Sequence, residues 1–384
     1  MFWLLLLLTI FWTGILVDFL IGLKKIPSMD NVEADEMDEF VSVIIPAKDE
    51  QESIRQTIMS LLNQRKVNLE VIAVNDRSED QTGAIMKDLA EVYPNVKMMN
   101  IEHLPSGWLG KNHALSCGVS AAAGTHLLFT DADIKFESQA LAKALTYMKE
   151  KELDHLTAAP DLRGNSFLLR GLISFFLFGF NYLKRPWTAN LKNNKGGMGV
   201  GAFQLLTQDC YQSIGGHEAI KMRPDDDLAL GMRIKRKGYR QNLVTALNSL
   251  SVEWYPNTKA ALRGFEKNAF AGLNYSIPLA LTALAGVFVS HLFPFLFLFS
   301  PVGAVQIISG LNVVLLFYLY ALSTKRLTTY PLRLVFALPI FALLFVYMLA
   351  RALVLTWIRG GIEWRGSRYT LKELKQHFRN NEED

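Results

Sequence analysis

Only two cysteines, Cys117 and Cys210, occur in the 384-residue sequence. Two thiols cannot build a disulfide framework, so the chain reads as one that matures in a reducing compartment. A strong charge of either sign is also missing: 40 Lys and Arg against 36 Asp and Glu leave a formal net charge of +4. That is too little to imply a nucleic-acid partner, whereas a mild basic excess suits contact with anionic lipid headgroups. No Gly-X-Gly-X-X-Gly follows the first strand-like run, which argues against a nicotinamide dehydrogenase. Charge is absent altogether over long stretches. Residues 2–23 carry one charge, Asp18, and residues 277–322 and 334–350 carry none. A bilayer core needs about 20 apolar residues in a helix, so both ends of the chain are expected in a membrane. The leading segment is too long and too uniformly apolar for a signal peptide, and no small-residue cleavage pattern follows it. It is expected to remain as an anchor. Lys24 and Lys25 come directly after it, which by the positive-inside rule puts the following domain in the cytoplasm of a multi-pass cell-membrane protein.

These signals divide the chain into an anchor at 1–24, an acidic linker at 25–40, a folded domain at 41–270, membrane helices at 271–358 and a basic tail at 359–384. The stretch "SMDNVEADEMDEF", Ser28 to Phe40, holds six acids and no base and is expected to be a solvated tether. From Phe40 the pattern alternates strand and helix. "FVSVIIPA", "LEVIAVND", "NVKMMNI" and "THLLFTDAD" read as strands, with helical segments between them. This alternation predicts an α/β fold with a mostly parallel sheet. Residues 167–183 are apolar but interrupted by Arg170, and an interfacial helix is expected there, since a crossing would split the domain across the bilayer. Full crossings at 277–299, 302–322 and 334–358 would leave the tail outside. The six bases Arg359, Arg365, Arg368, Lys372, Lys375 and Arg379 favour inside, as do Lys325, Arg326 and Arg333. A re-entrant or interfacial segment among the three would reconcile the two.

Ligands of such sheets sit at the carboxyl ends of the strands. Those ends read "PAKDE", "VNDRSED" and "TDAD", which lines up Asp49, Glu50, Asp76, Asp131 and Asp133 on one rim. Carboxylates do not suit an anion directly. They suit a hard cation such as Mg²⁺, which is held by one or two carboxylates and by substrate phosphates. In an extended strand Asp131 and Asp133 would point the same way, although two aspartates capping a turn would give the same letters. Asp76 at a neighbouring strand end can accept hydrogen bonds from a base or ribose. Lys111, at a helix start, offers a cation to a nucleotide. "PDDDLAL" opens a helix whose dipole favours acids, so Asp225 can cap while Asp226 or Asp227 does chemistry.

The segments "VSVIIPAKDE", "VIAVNDRSEDQT", "GKNHAL", "LLFTDADIKF", "IGGHEAI" and "DDDLALGMRIKRKGYR" occur in that order, and over residues 41–270 the chain resembles family 2 glycosyltransferases. The resemblance implies a GT-A fold, an inverting mechanism, a nucleoside-diphosphate sugar donor, most often UDP-linked, and Mg²⁺ or Mn²⁺. It assigns donor binding to Pro46, Glu50, Asp76, Ser78, Lys111 and Asp131, with Asp76 on the nucleoside. It assigns the metal to Asp131 and Asp133, and the general base to the Asp226-Asp227 pair, Asp227 first. The Gln-X-X-Arg-Trp of polymerising synthases is missing: the corresponding place reads "LRGFEKNAF", where Arg263 and Lys267 offer positive charge to the diphosphate or to the membrane interface. This argues against polysaccharide extension, and the four aspartates together argue against a non-catalytic scaffold. The tail "GIEWRGSRYTL" is similar to that of lipid-glycosylating members of the family, among them ceramide glucosyltransferases and bacterial enzymes acting on hopanoids or carotenoid acids. The diaponeurosporenoate glycosyltransferase type is nearest. A lipid acceptor, a carotenoid carboxylate or a related terpenoid, is therefore expected.

Overall fold

The computed structural model describes residues 1–192, 194–262, 264 and 276–359, and the backbone of 361–364 and 367–370. The chain forms two units. One comprises Lys25–Asp161 and Pro186–Val252; the other takes in Met1–Lys24, Leu162–Arg185 and the chain from Glu253. Helix α1 (Phe2–Gly22) opens the second unit. The first unit is built on an eight-stranded sheet. Its strands are β1 (Phe40–Ala47), β2 (Asn68–Asp76), β3 (Val96–Ile101), β4 (His126–Phe129), β5 (Lys135–Phe136), β6 (His155–Leu162), β7 (Gln204–Thr207) and β8 (Gln241–Val252). Their order is β3-β2-β1-β4-β7-β6-β8-β5. β1 to β4 are parallel, and β7 turns the ladder antiparallel at β4. Val43, Ile44, Ile45, Val71, Ile72 and Val74 are all sealed from solvent, because helices cover both faces of a parallel sheet and its strands become continuous apolar runs. α2 (Ile54–Leu62), α3 (Thr82–Val92) and α4 (Gly110–Ser120) make the crossovers, and α5 (Ala140–Lys151), α6 (Phe167–Lys184) and α7 (Gln208–Ser213) follow β5, β6 and β7.

The strand carrying "TDAD" is shorter than expected. β4 stops at Phe129, Asp131 lies beyond it, and Ala132 and Asp133 form a turn. The cause is across the sheet. The last rung is Thr130 N–H to Ile44 C=O at 3.3 Å. The next residue of β1 on that side is Pro46, which has no N–H to give the Thr130 carbonyl. Pro46 thus ends the ladder, and the two aspartates leave it in a turn whose middle carbonyl, Ala132 C=O, accepts from Thr57 Oγ1 at 2.8 Å.

Residues 25–40 are not a free tether. Ser28 pairs with Thr245 of β8, and the Asp30 carboxylate accepts from Ser249 N at 2.9 Å, Ser249 Oγ at 2.6 Å and Asn248 N at 3.0 Å. Ile26, Met29 and Met37 are buried between these polar contacts. Glu33, Asp35, Glu36 and Asp38 face water, while Asp30 and the spaced apolar residues strap the segment onto the sheet.

Among the described residues of the second unit, five helices are long and apolar enough to cross a membrane: Phe2–Lys25, Phe167–Lys184, Ile277–Phe299, Gly303–Leu327 and Leu332–Thr356. α1 lies along Gly303–Leu327, where Asn312 Nδ2 donates to Leu5 C=O at 3.1 Å and Thr9 Oγ1 at 2.8 Å. Asp18, the one charge of α1, is held in a two-pronged pair by Arg185 at 2.6 and 2.8 Å. The helix Ile277–Phe299 is broken: a π-turn covers Phe288–Leu292 and Pro294 follows. Pro294 cannot donate to the Ser290 carbonyl, and Trp12 Nε1–H fills that vacancy at 3.3 Å.

α6 (Phe167–Lys184) packs into this bundle through polar links: Ser174 Oγ to Thr324 Oγ1 at 2.7 Å, and Asn181 Nδ2 to Ser323 Oγ at 3.1 Å. Its length allows a crossing, but its flanks do not. β6 precedes it, β7 follows it, and the two pair through His155–Thr157 and Gln204–Leu206. One sheet cannot straddle a bilayer, so both ends of α6 lie on one side.

Candidate active site

The donor-binding, metal and base residues named from the sequence lie in the first unit: Pro46 and Asp76 near the carboxyl ends of β1 and β2, and the others on the loops that leave β1, β2 and β4, at the start of α4, or at the start of α8 (Asp226–Arg236). Asp49 follows β1 in a left-handed conformation, φ 56°, which Asp tolerates better than most residues. Its backbone N–H donates to Ser78 Oγ at 3.1 Å, and its Oδ1 accepts from Glu79 N at 2.8 Å. Glu50 N–H donates to Thr82 Oγ1 at 2.7 Å, and Asp80 Oδ2 accepts from Gln51 N at 3.1 Å. The β1 and β2 loops are thus stitched together. Ser78 serves this brace with its hydroxyl, while Glu50 sits beside the aspartate turn. Asp76 is buried at the end of β2 and pairs with Arg77 Nε at 2.8 Å. Gly110 makes room for that pair: a Cβ there would stand 2.3 Å from Asp76 Oδ2.

Lys111, next in α4, links two parts of the site. Its Nζ lies 2.8 Å from Asp131 Oδ1 and 3.2 Å from Asp226 Oδ2. Burial disfavours its charge, but Asp131, Asp226 and Asp227 more than offset this and hold it firmly protonated. Asp226 is buried, and burial raises its carboxyl pKa against the pull of Lys111. Asp227 receives two backbone donors, Gly201 N to Oδ2 at 2.9 Å and Leu228 N to Oδ1 at 2.8 Å. Burial and the neighbouring Asp226 charge push it up to about 7. Asp133 is pushed up to about 7 as well, by burial and by the charges of Asp131 and Glu50. Asp225 occupies the cap position of α8 but makes no capping bond. Arg223 takes its carboxylate at 2.8 and 2.7 Å instead.

Three positioning residues were not singled out from the sequence. Asn112, buried beside Lys111, donates to Ile220 C=O at 2.9 Å and Arg223 C=O at 3.0 Å, which ties α4 to the approach of α8. Thr130 Oγ1 donates to Ala202 C=O at 2.8 Å. Gly199 lets the glycine-rich loop touch α8: a Cβ there would overlap the Asp227 carbonyl at 1.8 Å. His217 of "IGGHEAI" packs edge-on against Phe129 at 4.7 Å and meets Tyr211 OH at 2.9 Å. Burial and nearby Lys111 push it down to about 3, so it stays neutral. Arg263 and Lys267, and the side chains of the 361–371 tail, lie outside the described residues.

Among the described residues, no group of three or more His, Cys, Asp or Glu side chains could hold a metal ion. Asp131 and Asp133 do supply two hard oxygen donors that repel each other. That donor set fits a divalent cation completing its shell with diphosphate oxygens and water. It does not fit a cation bound tightly by the protein alone.

The model for the family Glycosyl transferase family 2 matches residues 42–215. A 103-residue stretch is 40% identical to the probable glycosyltransferase YdaM of Bacillus subtilis, over 26% of this chain and 24% of that one. At 21% identity the likeness to the 4,4'-diaponeurosporenoate glycosyltransferase of Staphylococcus aureus extends over 359 residues, 87% of this chain and 89% of that one. In three dimensions the chain is similar to the mannosyltransferase PcManGT from Pyrobaculum calidifontis, solved in complex with GDP-Man and Mn²⁺. The TM-score is 0.53 at 17% identity, covering 93% of this chain and 98% of that one. Residues 42–215 therefore match a family 2 glycosyltransferase domain and the fold is of the GT-A type, while the described residues include helices of membrane-crossing length.

Proposed function

We propose that the protein moves a sugar, with inversion, from a nucleoside-diphosphate sugar, UDP-linked by the family pattern, to a membrane lipid. A carotenoid carboxylate or related terpenoid is the acceptor suggested by the Staphylococcus aureus relative. The observation that carries the reading is the Lys111 bridge between Asp131 and Asp226. It brings carboxylates suited to a cation–diphosphate pair beside the acidic pair suited to activating an acceptor. Asp76 accepts hydrogen bonds from the nucleoside, and Lys111 meets charge on the diphosphate. A divalent cation held by Asp131 and Asp133 would stabilise the departing diphosphate. An acceptor hydroxyl attacks the anomeric carbon from the face opposite that leaving group and must lose a proton as it does so. Asp227 is the base, fixed by two N–H donors. A carboxyl acceptor arrives ionised and needs no base. The helices of membrane-crossing length and the absent Arg-Trp motif favour a lipid over a growing polysaccharide.

Lipid extraction and mass spectrometry of cells with and without the protein test this. A lipid heavier by one sugar is expected only where the protein is made, and disappears with Asp227→Asn if a hydroxyl accepts. A new polymer selects a polysaccharide synthase, and an unchanged set of lipids and glycans sinks the reading.

A further inference from the structure

The Lys111 ammonium stands where a cation would be expected to work. It contacts Asp131, one of the two cation carboxylates, and Asp226, next to the base. The partly open pocket lined by Lys111, Thr130, Asp131, Gln204 and Asp226 leaves a volume of about 10 Å³, room for about one water. On that side of Asp131 no hydrated ion has a place while Lys111 is in it. Lys111 is also not free to drift: Asn112, the next residue, is pinned by two backbone carbonyls, so the side chain and not the helix must move.

Resting on the glycosyltransferase reading above, we infer that Lys111 is a built-in substitute for the divalent cation. It holds the acidic cluster together in the donor-free enzyme and gives up Asp131 only to a cation that arrives with a diphosphate. The logic is electrostatic. Asp131, Asp133, Asp226 and Asp227 repel one another, and one internal ammonium keeps them assembled. A divalent ion approaching alone meets Asp131 already paired and a positive charge beside it. A diphosphate supplies new anionic partners for Lys111, so the ammonium can turn to the phosphates as the ion takes its place. Cation and nucleotide then bind with strong positive coupling, and the enzyme avoids trapping a metal ion without substrate.

The test measures Mn²⁺ binding to the full-length, detergent-solubilised protein by electron paramagnetic resonance, with and without UDP. Wild type is expected to bind Mn²⁺ at least about tenfold more tightly with UDP present, a typical size for coupled sites. Lys111→Met should bind Mn²⁺ alone more tightly than wild type and lose most of the coupling. Lys111→Arg, which keeps the charge, should behave like wild type. Wild-type binding of Mn²⁺ that is indifferent to UDP overturns the inference without recourse to any variant. So does a folded Lys111→Met that keeps wild-type affinity for Mn²⁺ alone. Wild type that binds no nucleoside diphosphate with Mn²⁺ in any combination overturns the donor reading itself, a separate outcome.

Discussion

At the scale of single residues, Asp227 and Asp133 both titrate near neutrality, for different reasons and with different consequences. Asp227 can accept a proton only when ionised, and burial beside Asp226 pushes it up to about 7. For a hydroxyl acceptor, kcat/KM is expected to rise as the pH climbs through about 7 and to level off above it. Asp227→Asn should lower kcat by about 10²- to 10⁴-fold with donor affinity retained. A pH profile that is flat from 5 to 9 would remove Asp227 as the base. Asp133 takes no proton from the acceptor; its raised pKa is a cost of burial and of crowding with Asp131 and Glu50. A carboxyl group whose folded pKa exceeds its unfolded value, about 3.9, stabilises the fold fully below that value. The contribution fades as the pH rises through about 7. Asp133→Asn removes the titration. The variant should therefore melt progressively higher than wild type as the pH goes from 5 to 8 in metal-free buffer, by an amount on the order of 1 kcal/mol at the upper end. An equal shift at both pH values would show that the titration of Asp133 is not the cause.

At the scale of elements, two glycines set how closely the site's parts approach, and they should fail differently. A Cβ on Gly110 would meet the carboxylate tip of Asp76 and the guanidinium of Arg77, both of which can shift. Gly110→Ala should keep the melting temperature and raise the donor KM about tenfold, as small misplacements at a binding site do. A Cβ on Gly199 would meet the backbone of Asp227, which cannot move without carrying α8 along. Gly199→Ala should cost about 3 kcal/mol of stability and abolish transfer. Identical behaviour of the two variants in thermal melts and donor titrations would contradict this division. The same contrast shows what was legible in the sequence. β1 and β2 were readable because strands buried on both faces must be apolar nearly throughout, and their polar ends exposed the rim acids. The turn at Asp131–Asp133 was not readable, because it depends on Pro46 in a neighbouring strand. Asn112, Gly199 and the strap at 25–40 act through partners far away in the chain. Asp30, for example, meets Asn248 and Ser249, and no local pattern announces such a contact.

At the scale of the whole molecule, the topology of the sheet constrains the topology in the membrane. β6 and β7 are neighbours in one sheet, yet α6, 18 residues long and apolar enough to cross, separates them in sequence. At ~1.5 Å per residue its length is near the ~30 Å of a hydrocarbon core, so length alone would count it as a crossing. If it crossed, the rung between Thr157 and Gln204 could not form. α6 must enter and leave on the same face, and its Ser174 Oγ and Asn181 Nδ2 find partners in Thr324 and Ser323. This predicts the outcome of cysteine labelling. In a Cys117→Ser background, with Cys210 sealed in the core, reporters at the exposed positions Asn165→Cys and Lys192→Cys flank α6. Both should react with a membrane-impermeant maleimide only after the cells are permeabilised. Reaction of one and not the other in intact cells would make α6 a crossing helix and break the sheet as described. Reaction of both in intact cells would leave α6 as argued and turn the glycosyltransferase domain to the outside, against the orientation expected from Lys24 and Lys25.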